Sequence, residues 1–281
     1  APASLIEDVA LLREEAWQTW GESLRAPAKA GVADALSGLL AELPLSSVRT
    51  LLFGLLDKRA EWWAWAEGRI DPLAEARVAS EALAGLDEAR DVVAALWVEP
   101  WFRDALLEFR PLLAENAVGV KADADRLAAL ESTLTPGPTP LKGEGSAHTG
   151  LGRLESVFLT KEGQPAARKP GPTLDKRLGT ERAARFVELH HALAERVCQA
   201  LDQLAEQRAL RLNRLALVAG VDLIGHYQAL KRERDGLDFT DAEWLALRLL
   251  SDPDESAALL AKLDARWRHL LLDEFQDANP L

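Results

Sequence analysis

Apolar residues return every three or four positions along most of this chain, and that pattern makes an α-helical fold the main architecture open to it. Leu5, Val9, Leu12, Trp17, Trp20 and Leu24 form the first stripe. It continues through Ala-, Leu-, Glu- and Arg-rich segments to about Glu131, punctuated by Pro27, Pro44 and residues 68–72. Ser46 and Ser47 are suited to cap a run over 48–56. Longer helices follow from Asp71, with breaks expected near Pro100, Pro111 and Asn116 and no period-two strand among them. A second helical stretch opens at Thr180 and runs to Arg234, with Gly220 as its expected bend and Gly236 as its stop. Thr240, Asp241, Ala242 and Glu243 read as a capping box for a helix to Leu250, and a further helix is expected over 255–267.

Between these stretches the composition changes. Pro136, Pro138, Pro140, Gly143, Gly145, Gly150, Gly152, Pro165, Pro170, Gly171 and Pro172 prevent one continuous helix, so 133–179 is expected to be a long mobile connection. Only 154–160 (LESVFLT) is suited to extended structure. The expected organisation is a helical domain over 1–132, this connection over 133–179, and a helical return over 180–281.

Charge narrows the functional classes. The 33 basic and 45 acidic residues leave a net charge of -12, which argues against a surface moulded as a whole to nucleic acid. The connection is locally basic, and Lys161, Arg168, Lys169, Lys176 and Arg177 are its candidates to track DNA phosphates; the alternative is a solvated loop. With 281 residues and 48% apolar side chains the chain can bury a real core. It has no apolar run long enough for a membrane helix and no cleavable leader, so a cytoplasmic protein without membrane contact is expected. A single cysteine, Cys198, excludes a disulfide framework or a multi-thiolate metal site, and its apolar stripe suggests an inert thiol. The lack of any methionine suggests a segment of a longer protein.

Near the end, His269, Leu270, Leu271 and Leu272 form a short apolar run that stops at Asp273 and Glu274. This reads as a buried strand with two carboxylates at its exit, where open α/β sheets hold ligands and metals. In nucleotide hydrolysis one such acid holds Mg²⁺ and the next orients and polarises the attacking water. A charged helix terminus is the plainer alternative. Trp62, Trp63, Trp65, Trp97 and Trp101 offer either packing or a stacking platform for bases, and adjacent tryptophans on a helix point about 100° apart. His190 and His191 cannot both face one ion, and His148, His226 and His269 are isolated along the sequence.

The nine residues from Leu272 to Pro280 (LDEFQDANP) resemble the Walker B element, motif II, of the UvrD/Rep-like superfamily 1 DNA helicases, usually DEFQDTNP; only Ala278 departs. Upstream, Tyr227, Lys231, Gly236, Leu237, Asp238, Phe239 and Asp241 match in part the pattern that precedes motif II in that family. Phe158, Leu159, Thr160 and Lys161, followed by Gly163, Pro165, Arg168 and Lys169, are similar to a stretch of the AddA/RecB-type helicase-nuclease subunits, as are Arg59 and the tryptophans at 62–65. The resemblance implies a mainly α chain, a helical 1B-like accessory domain with a partial return into a RecA-like α/β motor domain. It assigns Asp273 to Mg²⁺, Glu274 to catalysis as the base, and Gln276 to nucleotide contact and coupling. It also implies Mg²⁺ and ATP in the longer parent, and a role in double-strand break repair. The partners it implies are duplex and single-stranded DNA and a second helicase-nuclease subunit. The phosphate loop GxxxxGK[ST] is missing from these 281 residues, so the piece is expected to hold no cofactor and to be inactive alone. A helical DNA-contacting or protein-interaction module without turnover is the alternative.

Overall fold

A computed structural model describes residues 4–6, 8–134, 146–266 and 269. The chain is mainly α, as its periodicity predicts. In order come β1 (Ser4–Leu5), α1 (Ala10–Ser23), α2 (Ala30–Leu40), α3 (Leu45–Asp57), α4 (Arg59–Ala66), α5 (Pro72–Ala84), α6 (Val92–Val98), α7 (Pro100–Ala117) and α8 (Lys121–Leu134). Then follow α9 (Ser146–Phe158), α10 (Pro172–Leu178), α11 (Thr180–Glu233), β2 (Gly236–Leu237), α12 (Phe239–Ser251) and α13 (Pro253–Arg266). Among the described residues no helix is long and apolar enough to cross a membrane.

Contacts divide the chain into two units, at 80/81 and 210/211. The first unit joins residues up to Ser80 with those from Arg211 onward. Trp20, Leu39, Val48 and Leu52 close around Leu215, Ala219 and Leu223 of α11. Leu12, Leu56, Ile224 and Tyr227 form an adjoining cluster on which Trp62 and Trp63 pack. Strands β1 and β2 pair in parallel, Ser4 with Gly236 and Leu5 with Leu237. Gly236 serves this join by close approach, since a Cβ there would stand 2.5 Å from the Ile6 side chain. Gly220 likewise reflects contact and not a bend. Helix α11 runs through it unbroken, and a Cβ would come 2.7 Å from a Leu55 methyl.

The second unit, residues 81–210, is built around Phe109 of α7. Its ring stacks on Phe186 at 5.0 Å and 11° and lies 5.4 Å from Phe158. Pro111 does not end α7, because Phe102, Leu106, Phe109 and Leu113 keep one face buried across it and offset the lost backbone bond.

The largest departure from expectation lies inside 133–179. Residues 154–158 are helical in α9, where Leu151, Leu154, Val157 and Phe158 fall on one face and join the core. That burial outweighs the helix-weakening effect of Gly150 and Gly152. The extended piece is shorter, a bridge between Leu159 and Pro165 closed by Gly163 at φ 76°. Gly179, at φ 82°, ends α10.

Candidate functional site

The motif II residues Asp273, Glu274 and Gln276 lie outside the described residues, as does the apolar run before them apart from His269, which is exposed. The upstream pattern is described, and its residues meet in one buried cluster. Asp238 caps α12, accepting a bond from the Asp241 amide at 3.1 Å, and the Asp241 carboxylate accepts one from the Asp238 amide at 3.1 Å. The capping box therefore sits two residues earlier than the Thr240–Glu243 reading, because these carboxylates also meet the cations of neighbouring helices.

Those cations are Arg59, at the start of α4, and Lys231, near the end of α11, each side chain 1% exposed. Arg59 bonds Asp238, lies 3.5 Å from Asp241, and donates to the Leu56 carbonyl at 2.9 Å. Lys231 donates to Asp238 at 3.1 Å and bonds Asp241. The Tyr227 hydroxyl donates to Asp238 at 3.0 Å, and the Gln228 amide to Asp241 at 2.8 Å. Two cations balance two carboxylates, and all four carboxylate oxygens are engaged by at least two partners. Such carboxylates have no capacity left for a metal or a substrate proton. The cluster locks α4, α11 and α12 together.

The electrostatics agree. Burial disfavours the charged form of Asp238, but Arg59 and Lys231 more than offset this and hold its carboxyl below the ordinary range. Burial, followed in effect by Arg59, lowers Lys231 despite its carboxylate partners. Burial and the neighbouring Asp238 raise Tyr227.

The basic candidates of 133–179 separate into two kinds. Arg168 embraces Asp123, a buried residue of α8, with one bond at 3.1 Å and a second shorter one. Asn116 and Arg126 complete that carboxylate's shell at 2.7 and 2.9 Å. Burial opposes the charge of Asp123, yet Arg168 and Arg126 keep its pKa below the usual value. Arg177 donates to the Asn116 carbonyl at 3.2 Å. Arg168 thus helps hold the second unit together; Arg177 is exposed apart from its contact with Asn116, and Lys161, Lys169 and Lys176 are exposed. Asp123 escaped the sequence reading, and Asn116 entered it only as a helix break. The only available signal was a carboxylate on the inward stripe of a helix.

His190 is buried with both ring nitrogens unpartnered, against Phe109 and Phe158. Burial above all, then Arg168, His191 and Arg126, lowers its pKa to about 3. His191 instead meets the Arg168 carbonyl at 3.0 Å, and His226 meets the Thr19 hydroxyl at 2.8 Å. His148 has no described side chain. No group of three or more metal-binding side chains occurs among the described residues. Cys198 is half-buried, its thiol 3.8 Å from the Gly163 carbonyl. Among the tryptophans, Trp62 stacks on Trp65 at 5.5 Å and Arg69 covers Trp65 at 4.2 Å, so that ladder is closed at its outer end. Trp97 packs on the second core, and Trp101 is half exposed.

Residues 141–281, half of the chain, match the family described as the UvrD/REP helicase N-terminal domain. The chain belongs to the UvrD/REP helicase family. This UvrD/REP chain is also similar to an ATP-dependent helicase/nuclease subunit of Desulfitobacterium hafniense, 42% identical over 55 residues, 20% of the chain and 4% of that protein. The protein of the same name from Lactiplantibacillus plantarum is 46% identical over 56 residues, 20% of the chain and 4% of that protein. Its namesake from Staphylococcus haemolyticus is 39% identical over 59 residues, 21% of the chain and 5% of that protein. The matched segment therefore spans about 4–5% of the length of these curated relatives. No solved structure matches the UvrD/REP chain.

Proposed function

We propose that this chain is part of an ATP-dependent DNA helicase of the AddA/RecB type, acting in double-strand break repair and recombination. The observation that carries the reading is the family match over 141–281, which includes the LDEFQDANP string. Residues 1–132 would supply a helical accessory domain of 1B type, and the chain after Thr180 would lead back into the motor.

Adjacent carboxylates offer the hard oxygen donors that Mg²⁺ prefers, so Asp273 and Glu274 fit an Mg²⁺–ATP site by their chemistry. Bound Mg²⁺ would neutralise charge developing on the transferred phosphoryl group. Asp273 would hold the ion, Glu274 would orient the attacking water and take its proton, and Gln276 would couple the nucleotide to DNA. The buried Arg59–Lys231–Asp238–Asp241 cluster fixes the start of α12, upstream of these residues, without taking part in chemistry. Exposed Lys161, Lys169 and Lys176 would meet DNA phosphates. A nuclease activity and a second helicase-nuclease subunit belong to the same proposal for the longer protein.

The test is DNA-stimulated ATP hydrolysis and unwinding by the longer protein with Glu274→Gln. The variant should still bind ATP but lose both activities; unwinding at the normal rate would refute the motif assignment.

A further inference from the structure

Within the first unit, one stripe of α11 and the starts of α2 and α5 border an open cleft of about 550 Å³. Its walls are aliphatic: Val32 of α2, Leu73 of α5, and Val218, Val221 and Ala229 of α11. Lys29, Asp222 and His226 are its polar side chains, and Gly225 gives it a stretch of wall without any side chain. The lining positions of α11 recur at spacings of three and four, so one face of a single helix presents them together. An apolar cleft of this size with a few convergent polar groups has the form of a small-molecule site.

The hydrogen bonds already made decide which polar atoms are left over. Asp222 Oδ1 accepts from the Trp20 indole N–H at 2.7 Å and from the Lys29 ammonium at 2.8 Å, while Oδ2 has no partner among the described residues. Lys29 commits one N–H to that pair and keeps the others. The Thr19 hydroxyl donates its single proton to the Glu15 carbonyl at 2.8 Å, so toward His226 Nε2, also at 2.8 Å, it accepts. The imidazole therefore carries its proton on Nε2 and leaves Nδ1 as a bare acceptor. Burial, followed by Lys29, lowers the His226 pKa and keeps the ring uncharged around neutral pH. Gly225 is a separate sign. Glycine weakens a helix interior, yet a Cβ at 225 would meet nothing within 4 Å. Packing does not demand it, as Leu55 demands Gly220, but a side chain there would stand in the cleft.

We propose that this cleft binds a small, uncharged ring compound that carries a hydrogen-bond donor beside an acceptor, the edge offered by a primary carboxamide or an amino-substituted azine. The ligand's acceptor takes an N–H from Lys29, its N–H group donates to Asp222 Oδ2 or His226 Nδ1, and its apolar ring lies against Val32, Leu73 and Val221. Lys29 and Asp222 cancel one another's charge, so a charged ligand gains no net attraction. An edge made of acceptors alone would face the free carboxylate oxygen and the bare imidazole nitrogen. A wholly apolar ring would displace water from those groups and give them nothing in return. The proposal draws on none of the residues assigned to the helicase reading and stands independently of it.

The experiment is saturation-transfer-difference NMR of the chain with benzamide and 2-aminopyrimidine as probes and benzoate as the anionic comparison, using variants whose helical content is verified by circular dichroism. The neutral probes should bind in the millimolar range open to ligands of so few atoms, and benzoate about tenfold more weakly. Binding of one neutral probe without the other identifies its edge, carboxamide or aminoazine, as the one the cleft takes. Gly225→Leu, for which the Cβ has room, should abolish binding of both while keeping or raising thermal stability. Asp222→Asn keeps an oxygen for Trp20 and Lys29 but removes the negative charge and puts an NH₂ group at the free position. Benzamide should then weaken and benzoate tighten, each by about fivefold; an aspartate of purely structural purpose would not move the two in opposite directions. Failure of both neutral probes to bind the unaltered folded chain overturns the proposal. So does binding that survives Gly225→Leu, or benzoate bound as tightly as benzamide.

Discussion

His190 should make the second unit sensitive to mild acid. The imidazole is 1% exposed, and neither ring nitrogen has a hydrogen-bond partner. Its surroundings are Phe109 and Phe158, with Arg168, Arg126 and His191 as like charges and Asp123 as the single opposing one. The folded pKa of about 3 lies far below the ordinary 6.5, so between those values the unfolded chain binds a proton that the folded one refuses. The stability contributed by the neutral ring is therefore fully present above pH 6.5 and is lost as pH falls toward 3. Integrating that linkage gives a loss of roughly 2 kcal/mol by pH 5, on a slope of ~1.4 kcal/mol per pH unit. Urea unfolding followed by far-ultraviolet circular dichroism at pH 7.5, 6.0 and 5.0 measures it, with His190→Leu as the comparison. At pH 7.5 the variant should equal or exceed the original, since it removes a buried polar group without breaking a bond. At pH 5.0 its advantage should grow by about 2 kcal/mol. His226, lowered chiefly by burial, contributes in the same direction to the first unit but is common to both proteins, so it drops out of the difference. If the two proteins lose equal stability between pH 7.5 and 5.0, the assignment of a neutral buried His190 is wrong.

The buried cluster of the first unit makes a second test: Lys231→Met should cost about 3–5 kcal/mol, because it leaves Asp238 and Asp241 with one cation between them. Adding Asp241→Asn should recover part of that loss in a double-mutant cycle by chemical denaturation, and strictly additive losses would argue against coupling. The two kinds of basic residue in 161–177 should also behave differently. Arg168→Ala should lower the melting temperature of the second unit by leaving buried Asp123 with only Arg126 and Asn116, whereas Lys161→Ala, Lys169→Ala and Lys176→Ala should leave stability within about 0.5 kcal/mol. Together the lysine replacements should flatten the salt dependence of duplex binding by about 0.9 in slope for each phosphate contact removed. A duplex titration with an unchanged slope would remove those lysines from the DNA interface.

Much of the local structure was legible in the residues themselves. The periodicity of Leu12, Ala16 and Trp20 and the long unbroken run after Thr180 announced helices that the fold contains. Breakers were read less well. Pro111 and Gly220 look like interruptions in a linear string, but a buried face carries α7 across the first, and Leu55 explains the second. The string of prolines and glycines after Thr133 concealed the stripe of Leu151, Leu154, Val157 and Phe158, whose value depends on Phe109 and Phe186. For the candidate site, the spacing of Tyr227, Lys231, Asp238 and Asp241 suggested a family pattern, but nothing in that spacing brings in Arg59, 179 positions before Asp238.

What the sequence by itself determined is the helical class of the chain and its family, because both are written in short-range information: the return of apolar residues every three or four positions, and a motif string whose residues are neighbours. Only the tertiary structure decided which charges are available. Arg168 and Lys161 are equally basic on paper, yet one is committed to Asp123 and the other faces water. Asp238 and Asp241 look like free acids, but Arg59 and Lys231 saturate them. The physical reason is that a charged group's role depends on its desolvation and on the partners within a few ångströms, and for buried groups those partners come from distant parts of the chain.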